Sequence, residues 1–316
     1  MQVIFWGTRG SLPASVTAGQ IRKKIFEAIK MAQGRIFESE KAIHTFIEQS
    51  LPFSISSGFG TNTSCVQLDE GGEETVLCDA GSGLRDYGRG ALGEDAPKQF
   101  HIFLSHLHWD HLQGFPFFIP AYLPGRRVDF YGCHQDLEAA LRRQQDPPWF
   151  PVRLEQMKAD MHFHLLEPEH DYEIAGFRVR AQPQRHPGVS YTYRFERQGR
   201  KIVYSTDAEH KDDAFETGYP LIDFVRGADV LIFDAQYLLR DNITVNEDWG
   251  HSNNVTGVEI ASQAGVKHLC LFHSDPNNDD GKLEKLGRET QRYADLVPDS
   301  SSLKVTLAYD GLRINV

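Results

Sequence analysis

Cysteine is scarce in this chain: Cys65, Cys78, Cys133 and Cys270 are widely spaced and form no Cys-x-x-Cys pair. That spacing excludes a zinc ribbon and a disulfide framework, and buried, reduced thiols of a cytoplasmic protein are the expectation. Long apolar runs are missing too. No stretch of about 18 apolar residues occurs, so no transmembrane helix and no membrane partner are expected. The start, Met1-Gln2-Val3-Ile4-Phe5-Trp6-Gly7, has neither a basic n-region nor a small-residue cleavage site and reads at once as a strand, not as a signal peptide. Positive charge is in deficit: 33 Lys and Arg stand against 44 Asp and Glu, a formal net charge of −11. That balance keeps the protein soluble and argues against an extended nucleic acid as partner; a small anionic substrate is expected instead.

What the chain has is histidine in one place. Ser105-His106-Leu107-His108-Trp109-Asp110-His111 follows the apolar run Phe100-His101-Ile102-Phe103-Leu104. Three imidazoles and a carboxylate at the end of a buried strand make a cradle for a borderline divalent cation. In an extended segment His106 and His108 point the same way, with Asp110 and His111 at the turn that follows. Downstream, three single residues end short apolar or aromatic runs: His186 in Gln184-Arg185-His186-Pro187-Gly188, Asp207 after Val203-Tyr204-Ser205-Thr206, and His273 after Leu269-Cys270-Leu271-Phe272. Each alone is more often structural than ligating. Their order, number and strand-end positions make the set specific.

This order, H-x-H-x-D-H followed by a lone His, a lone Asp and a final His, resembles the metallo-β-lactamase superfamily of metallo-hydrolases over nearly the whole chain. The resemblance implies two ions, zinc by default, with manganese or iron using the same ligands. His106, His108 and His186 would hold the first, Asp110, His111 and His273 the second, and Asp207 would bridge them. Two such cations about 3.5–4 Å apart bring a shared water near neutrality, and its hydroxide is the implied nucleophile. Asp79, in Leu77-Cys78-Asp79-Ala80-Gly81, matches the family's Asp-x-Gly strand end; it would fix the tautomer of a ligand histidine, although Asp-Ala-Gly-Ser-Gly is turn chemistry in its own right. Histidine at 108 and the absence of a cysteine ligand separate the chain from flavo-diiron oxidoreductases and true β-lactamases.

Strand-like segments fall near 2–6, 63–68, 75–79, 100–105, 127–132, 161–166, 177–182, 190–196, 201–205, 229–234, 267–272, 304–308 and 312–316, with helices near 83–91, 134–145, 214–226, 253–265 and 281–296. Alternation of the two predicts an α/β fold. The resemblance makes it a four-layer αβ/βα sandwich, one metallo-hydrolase domain over 1–316. A helical insertion at about 14–57 interrupts it. There Ile21, Ile25, Ile29, Ala32, Ile36, Ile43 and Ile47 form an apolar stripe at helical spacing, broken at Gly34 and ended by Pro52. The insertion either packs on the domain's own surface or serves as a lid or a homodimer arm.

A second pair points to phosphoesters. Asp234 ends Asp229-Val230-Leu231-Ile232-Phe233, and His251 lies in Trp249-Gly250-His251-Ser252 before the helix that runs to Gly265. The pair resembles the ribonuclease Z and phosphonate-pathway phosphodiesterase branch, where an acid orients a histidine that protonates the leaving group. Carried over, Asp234 orients and His251 is the general acid, while Asp110 is counted with the catalytic residues as a ligand. That branch has glutamate where Asp234 stands, so the reach here is one methylene shorter. Gly7-Thr8-Arg9-Gly10-Ser11 and Gly60-Thr61-Asn62-Thr63-Ser64 resemble loops of bacterial phosphodiesterase-like metallo-hydrolases. Arg9, Asn62 and Ser64 are therefore candidate substrate contacts, or simply turn residues. The leading expectation is a dinuclear phosphodiesterase cleaving a small phosphodiester such as a cyclic nucleotide. The alternatives are a thioester or lactone hydrolase on the same metals, and a non-catalytic interaction module.

Overall fold

The computed structural model describes residues 1–216, 218–237, 248–297 and 302–316. Two seven-stranded sheets face each other. The first contains β1 (Gln2–Gly7), β2 (Cys65–Asp69), β3 (Glu74–Cys78), β4 (Gln99–Phe103), β5 (Arg127–Gly132), β6 (Asp160–Leu165) and, at the far edge beside β1, the last strand β14 (Arg313–Asn315). The second runs in sequence from β7 (Asp171–Ile174) through β8 (Phe177–Gln184), β9 (Ser190–Arg197), β10 (Arg200–Ser205), β11 (Val230–Asp234) and β12 (His268–Phe272) to β13 (Lys304–Leu307). Strands β3 to β6 are mutually parallel, as are β10 to β13, and the outer pairs are antiparallel. Parallel strands are buried on both faces, which is why Val230-Leu231-Ile232-Phe233 and Leu269-Cys270-Leu271-Phe272 are apolar without alternation.

Phe5, Phe103, Phe195, Tyr204 and Phe272 fill the space between the sheets; Phe103 meets Phe195 edge-on at 5.1 Å. Outside the first sheet lie α4 (Gly83–Gly90) and α5 (Leu137–Gln144); outside the second lie α6 (Pro220–Val225), α7 (Asn254–Gln263) and α8 (Asp280–Ala294). The expected four-layer sandwich is therefore the observed fold. Asn253 caps α7 by accepting from the Val255 and Thr256 amides, and Gly265 takes the left-handed conformation (φ +64°) after it. Strand β7 was not among the expected strands. Its four residues are half-exposed and pair with β8 across Ala175-Gly176, so the only signal is a short polar–apolar alternation before a tight turn.

The insertion forms α1 (Ala18–Ala32), α2 (Glu40–Gln49) and the short α3 (Phe53–Ser56), with Gly34 at φ +79° in the break. Its stripe does not pack on the domain: α1 buries no residue, and Ile25, Phe26, Ile29 and Ile36 are 55, 62, 66 and 92% exposed. That sets aside surface packing of the stripe. The segment is tethered at its base, where Lys24 meets Asp280 and the Ser57 carbonyl, and Phe53 packs between Phe59 and Tyr309.

One buried group in the second sheet gives a prediction. His268 in β12 is nearly buried, bonded to the Thr306 hydroxyl at 2.9 Å, and has no carboxylate partner among the described residues. Burial, helped by Lys304, pulls its pKa down to about 4. Its folded value lies below the unfolded one, so the unfolded chain binds the extra proton. Stability is lost as pH falls below about 6.5 and until the folded value is passed. Between pH 7 and pH 5 wild type should lose about 2 kcal/mol more of its stability than His268→Gln. Equal acid sensitivity of the two proteins in calorimetry would refute the assignment.

Candidate metal centre

The chemistry-bearing residues gather at the carboxyl ends of the parallel strands of both sheets, the edge at which α/β sheets bind ligands. β3 delivers Asp79 and β4 the 106–111 loop; β10 delivers Asp207, β11 Asp234 and β12 His273. Asp79, Asp207 and His273 all take positive φ (61, 40 and 61°), which turns the chain sharply where each strand stops. Such a conformation costs about 1–3 kcal/mol per residue and persists where the surroundings enforce it. Two glycines let the loops close: a Cβ on Gly114 would lie 1.9 Å from the Gly81 carbonyl oxygen, and one on Gly10 would lie 2.5 Å from His273 Nδ1.

Two clusters made only of the expected ligands result, and two further donor groups overlap them through His251. His106, His108 and His186 form the first, with His186 Nε2 3.1 Å from His108 Nδ1. Asp110, His111, Asp207 and His273 form the second, with His111 Nε2 3.2 Å from His273 Nε2. Asp207 stands between them. Its Oδ2 is 3.6 Å from His106 Nε2 and 3.9 Å from His186 Nε2, while its Oδ1 is 3.3 Å from both His111 Nε2 and His273 Nε2. Asp110 Oδ2 lies 3.2 Å from each of those last two nitrogens.

The far nitrogens are committed elsewhere. His111 Nδ1 donates to Asp79 Oδ2 (2.7 Å), His273 Nδ1 to Gln236 Oε1 (3.1 Å) and His186 Nδ1 to the Gly250 carbonyl (2.7 Å). The inward nitrogens therefore meet in pairs, His111 Nε2 with His273 Nε2 at 3.2 Å and His186 Nε2 with His108 Nδ1 at 3.1 Å, an arrangement that a cation between each pair stabilises. His106 Nε2 is buried with no hydrogen-bond partner among the described residues. Burial lowers the pKa of His106, His108 and His186, keeping them neutral, as ligands must be. Burial pulls His111 down as well, but Asp207, Asp110 and Asp79 together push it well above the usual range; the pocket demands positive charge. Burial would raise Asp110 and Asp207, yet the neighbouring histidines hold both far below the carboxylate range. The donor set fits divalent metal ions.

Asp79 is fully buried and accepts four bonds: from His111 Nδ1, the Ser105 amide (2.8 Å), the Ser105 hydroxyl (2.9 Å) and the Tyr204 hydroxyl (2.6 Å). An amide there would offer two N–H groups to neighbours that are themselves donors. Asp79→Asn is expected to weaken metal binding by about 10–100-fold, measured by competition with a chromophoric chelator; unchanged affinity would return Asp79 to the role of a turn residue.

His251 adjoins both clusters, grouped with His186 and Asp207 on one side and with Asp234 and His273 on the other. Its Nδ1 is 2.9 Å from Asp234 Oδ2 and 4.0 Å from Asp207 Oδ2. The shorter aspartate therefore spans the gap that glutamate would. Asp234 is itself fixed, accepting from the Ala208 and Gln236 amides. Burial lowers the His251 pKa, but Asp234's charge and hydrogen bond outweigh it and raise the pKa to about 9.

The three candidate substrate contacts are buried, which favours the turn-residue alternative of the sequence reading. Arg9 is 4% exposed and ties loops together: Nε donates to the Gly60 carbonyl (3.0 Å), Nη1 to those of Asn278 (3.0 Å) and Asp275 (3.2 Å). Asn62 bridges Asp86 and Ser82, and Ser64 is wholly buried. Their loop reaches the centre through backbone, with the Ser11 amide donating to Asp110 Oδ2 at 2.9 Å. His210 and His101, not expected as ligands, bond to Tyr219 and Tyr131. Sequence reasoning missed Tyr204 and Gln236, whose signal was their place beside Asp207 and Asp234; Ser105 was quoted only as the first residue of the motif.

A four-layer sandwich with His and Asp clusters at one edge defines a metal-dependent hydrolase. The chain belongs to the β-lactamase superfamily: the profile described as "Beta-lactamase superfamily domain" matches residues 74–274. Within it the chain resembles the ribonuclease Z branch. It is 35% identical over 114 residues to Ribonuclease Z of Brevibacillus brevis, which covers 34% of this chain but only 33% of that protein. It is 25% identical over 246 residues to Ribonuclease Z of Thermoplasma acidophilum, covering 60% of this chain and 75% of the relative. The crystal structure of human tRNase Z, short form, superposes with a TM-score of 0.61 at 19% identity, covering 100% of this chain and 99% of that one, a likeness of fold.

These relatives overturn the expectation against an extended nucleic acid, because proteins named for RNA and tRNA substrates are what the chain resembles. The reason is physical. A net charge of −11 is a sum over the whole surface, whereas phosphate contacts depend on cations gathered at one face. Among the described residues no helix is long and apolar enough to cross a membrane.

Proposed function

We propose that this protein is a dinuclear metal-dependent phosphodiesterase that cleaves RNA. The observation that carries this reading is the Asp234–His251 pair, with Nδ1 to Oδ2 at 2.9 Å, set against the carboxylate that stands between the two clusters. A hydrolase of thioesters or lactones has little need of such a proton donor, because a thiolate or tethered alcohol leaves with less help. The ribonuclease Z relatives support RNA over a cyclic nucleotide as the substrate class.

His106, His108 and His186 would hold one ion, and Asp110, His111 and His273 the other, with Asp207 between them; a histidine-rich, cysteine-free donor set suits zinc. Bound there, such ions activate water and stabilise charge developing on the phosphoryl group. The chain's own residues do the rest. Asp79 fixes His111 with Nε2 inward, Gln236 does the same for His273, and the Gly250 carbonyl for His186. Asp234 accepts Nδ1–H and holds His251 as the imidazolium, so Nε2–H can pass its proton to the departing ribose oxygen and leave the neutral Nδ1–H tautomer. The four free thiols support a reducing, cytoplasmic setting.

The test uses zinc- or manganese-loaded protein with three substrates: a tRNA-containing transcript, a single-stranded RNA and bis(p-nitrophenyl) phosphate. Metal-dependent cleavage of either RNA is expected. Turnover of the small diester with both RNAs untouched would remove RNA as substrate, and no turnover of any would remove the phosphodiesterase reading.

A further inference from the structure

The metal loop has a second face. Trp109, between the candidate ligands His108 and Asp110, turns away from them and is 67% exposed. It lines a cavity of about 680 Å³ together with Phe117, from the turns after the loop, Arg143 and Gln144 at the end of α5, and Trp149 and Phe150 just beyond. That volume lies within the range of small-ligand sites, about 300–1,000 Å³. Phe117 and Trp149 are 54 and 76% exposed, so three large aromatic side chains of one cavity face solvent together. Phe117 is braced edge-on by Phe150 at 5.5 Å. The Trp149 amide donates to the Asp146 carbonyl at 2.9 Å, which holds the segment in a turn.

Scattered exposed aromatics need no explanation, but a group of them on one cavity marks a site of interaction. The charge of the wall narrows the occupant, because no carboxylate is among the described residues that line it. Arg143 supplies a cation at the same wall. Flat π-faces beside one cation match a nucleobase with its attached phosphate, the base by stacking and the phosphate by charge. Because Trp109 belongs to the loop that carries His106, His108, Asp110 and His111, whatever fills the cavity sits next to the candidate metal centre.

We infer that the cavity bounded by Trp109, Phe117 and Trp149 is a subsite that stacks one unpaired nucleobase of the RNA adjoining the scissile phosphate. This rests on the proposal that RNA is the substrate. The subsite sets specificity for unpaired over paired RNA at that position, because a base inside a duplex keeps its faces covered by its neighbours.

The experiment is a substrate series on the metal-loaded protein. A short single-stranded RNA is compared with versions carrying one abasic residue at each position in turn, for wild type, Trp149→Ala, Trp149→Phe and Phe117→Ala. Trp149 is exposed, so its removal leaves the fold and the metal content intact, checked by circular dichroism and metal analysis. One position is expected at which losing the base raises KM about tenfold in wild type with kcat unchanged, the effect of one lost stack. The same loss should cost nothing further in Trp149→Ala, and Trp149→Phe should restore the sensitivity. Abasic penalties that are equal in wild type and Trp149→Ala, or none at any position while RNA is cleaved normally, would overturn the subsite and leave the RNA reading standing. No cleavage of any RNA by protein that hydrolyses bis(p-nitrophenyl) phosphate would instead remove the RNA reading, and the subsite with it.

Discussion

Asp207→Asn should lower metal-dependent phosphodiester hydrolysis by about 10³-fold or more, because one carboxylate serves both clusters. Oδ2 faces His106 and His186, and Oδ1 faces His111 and His273. An asparagine keeps the shape but loses the charge, and one side of it becomes an N–H donor aimed at a nitrogen lone pair. Each other ligand candidate belongs to one cluster, so its removal should leave the opposite cluster able to bind. Metal analysis of Asp207→Asn should show loss at both positions, whereas His186→Ala should keep the second. A variant at Asp207 that retains two ions per chain and full turnover would end the bridging assignment.

The second large effect depends on the leaving group. His251→Ala should cut cleavage of RNA by about 10²–10⁴-fold, the usual worth of a positioned general acid. The same variant should hydrolyse bis(p-nitrophenyl) phosphate almost normally, since nitrophenolate leaves without a proton. Asp234→Asn should follow the same pattern more weakly: it keeps the 2.9 Å contact in shape but no longer supports a charged imidazole. Equal losses on both substrates would mean that His251 acts through the metals or the fold, and the general-acid role would fall.

Much of this centre was readable from residues alone because its parts lie at strand ends, where an apolar run stops at a His or Asp. His106 to His111, Asp207, Asp234 and His273 are of that kind, His186 follows β8, His251 precedes a helix, and the structure brings them within one cleft. The fold was legible for the same reason: buried parallel strands such as Val230–Asp234 are continuous apolar runs. What was not legible depends on long-range closure. Arg9 looks like an anion contact in its Gly-rich loop, and only the approach of Gly60, Asp275 and Asn278 shows its donors spent on backbone. Tyr204 is an ordinary strand aromatic until Asp79, 125 positions away, meets its hydroxyl. The exposure of the insertion's isoleucines was likewise hidden, because helical spacing shows that a face exists and not what covers it.

The split origin of the centre reaches beyond catalysis. Asp79 and His106 to His111 come from the first sheet; His186, Asp207 and His273 come from the second. A cation held by residues of both would be a clasp across the seam of the sandwich, able to form only once the halves have docked. Metal affinity would then also be cohesion between the halves. At a free metal concentration 100 times the dissociation constant, the clasp adds about 2.7 kcal/mol against unfolding, and a chelator should loosen the whole molecule rather than one loop.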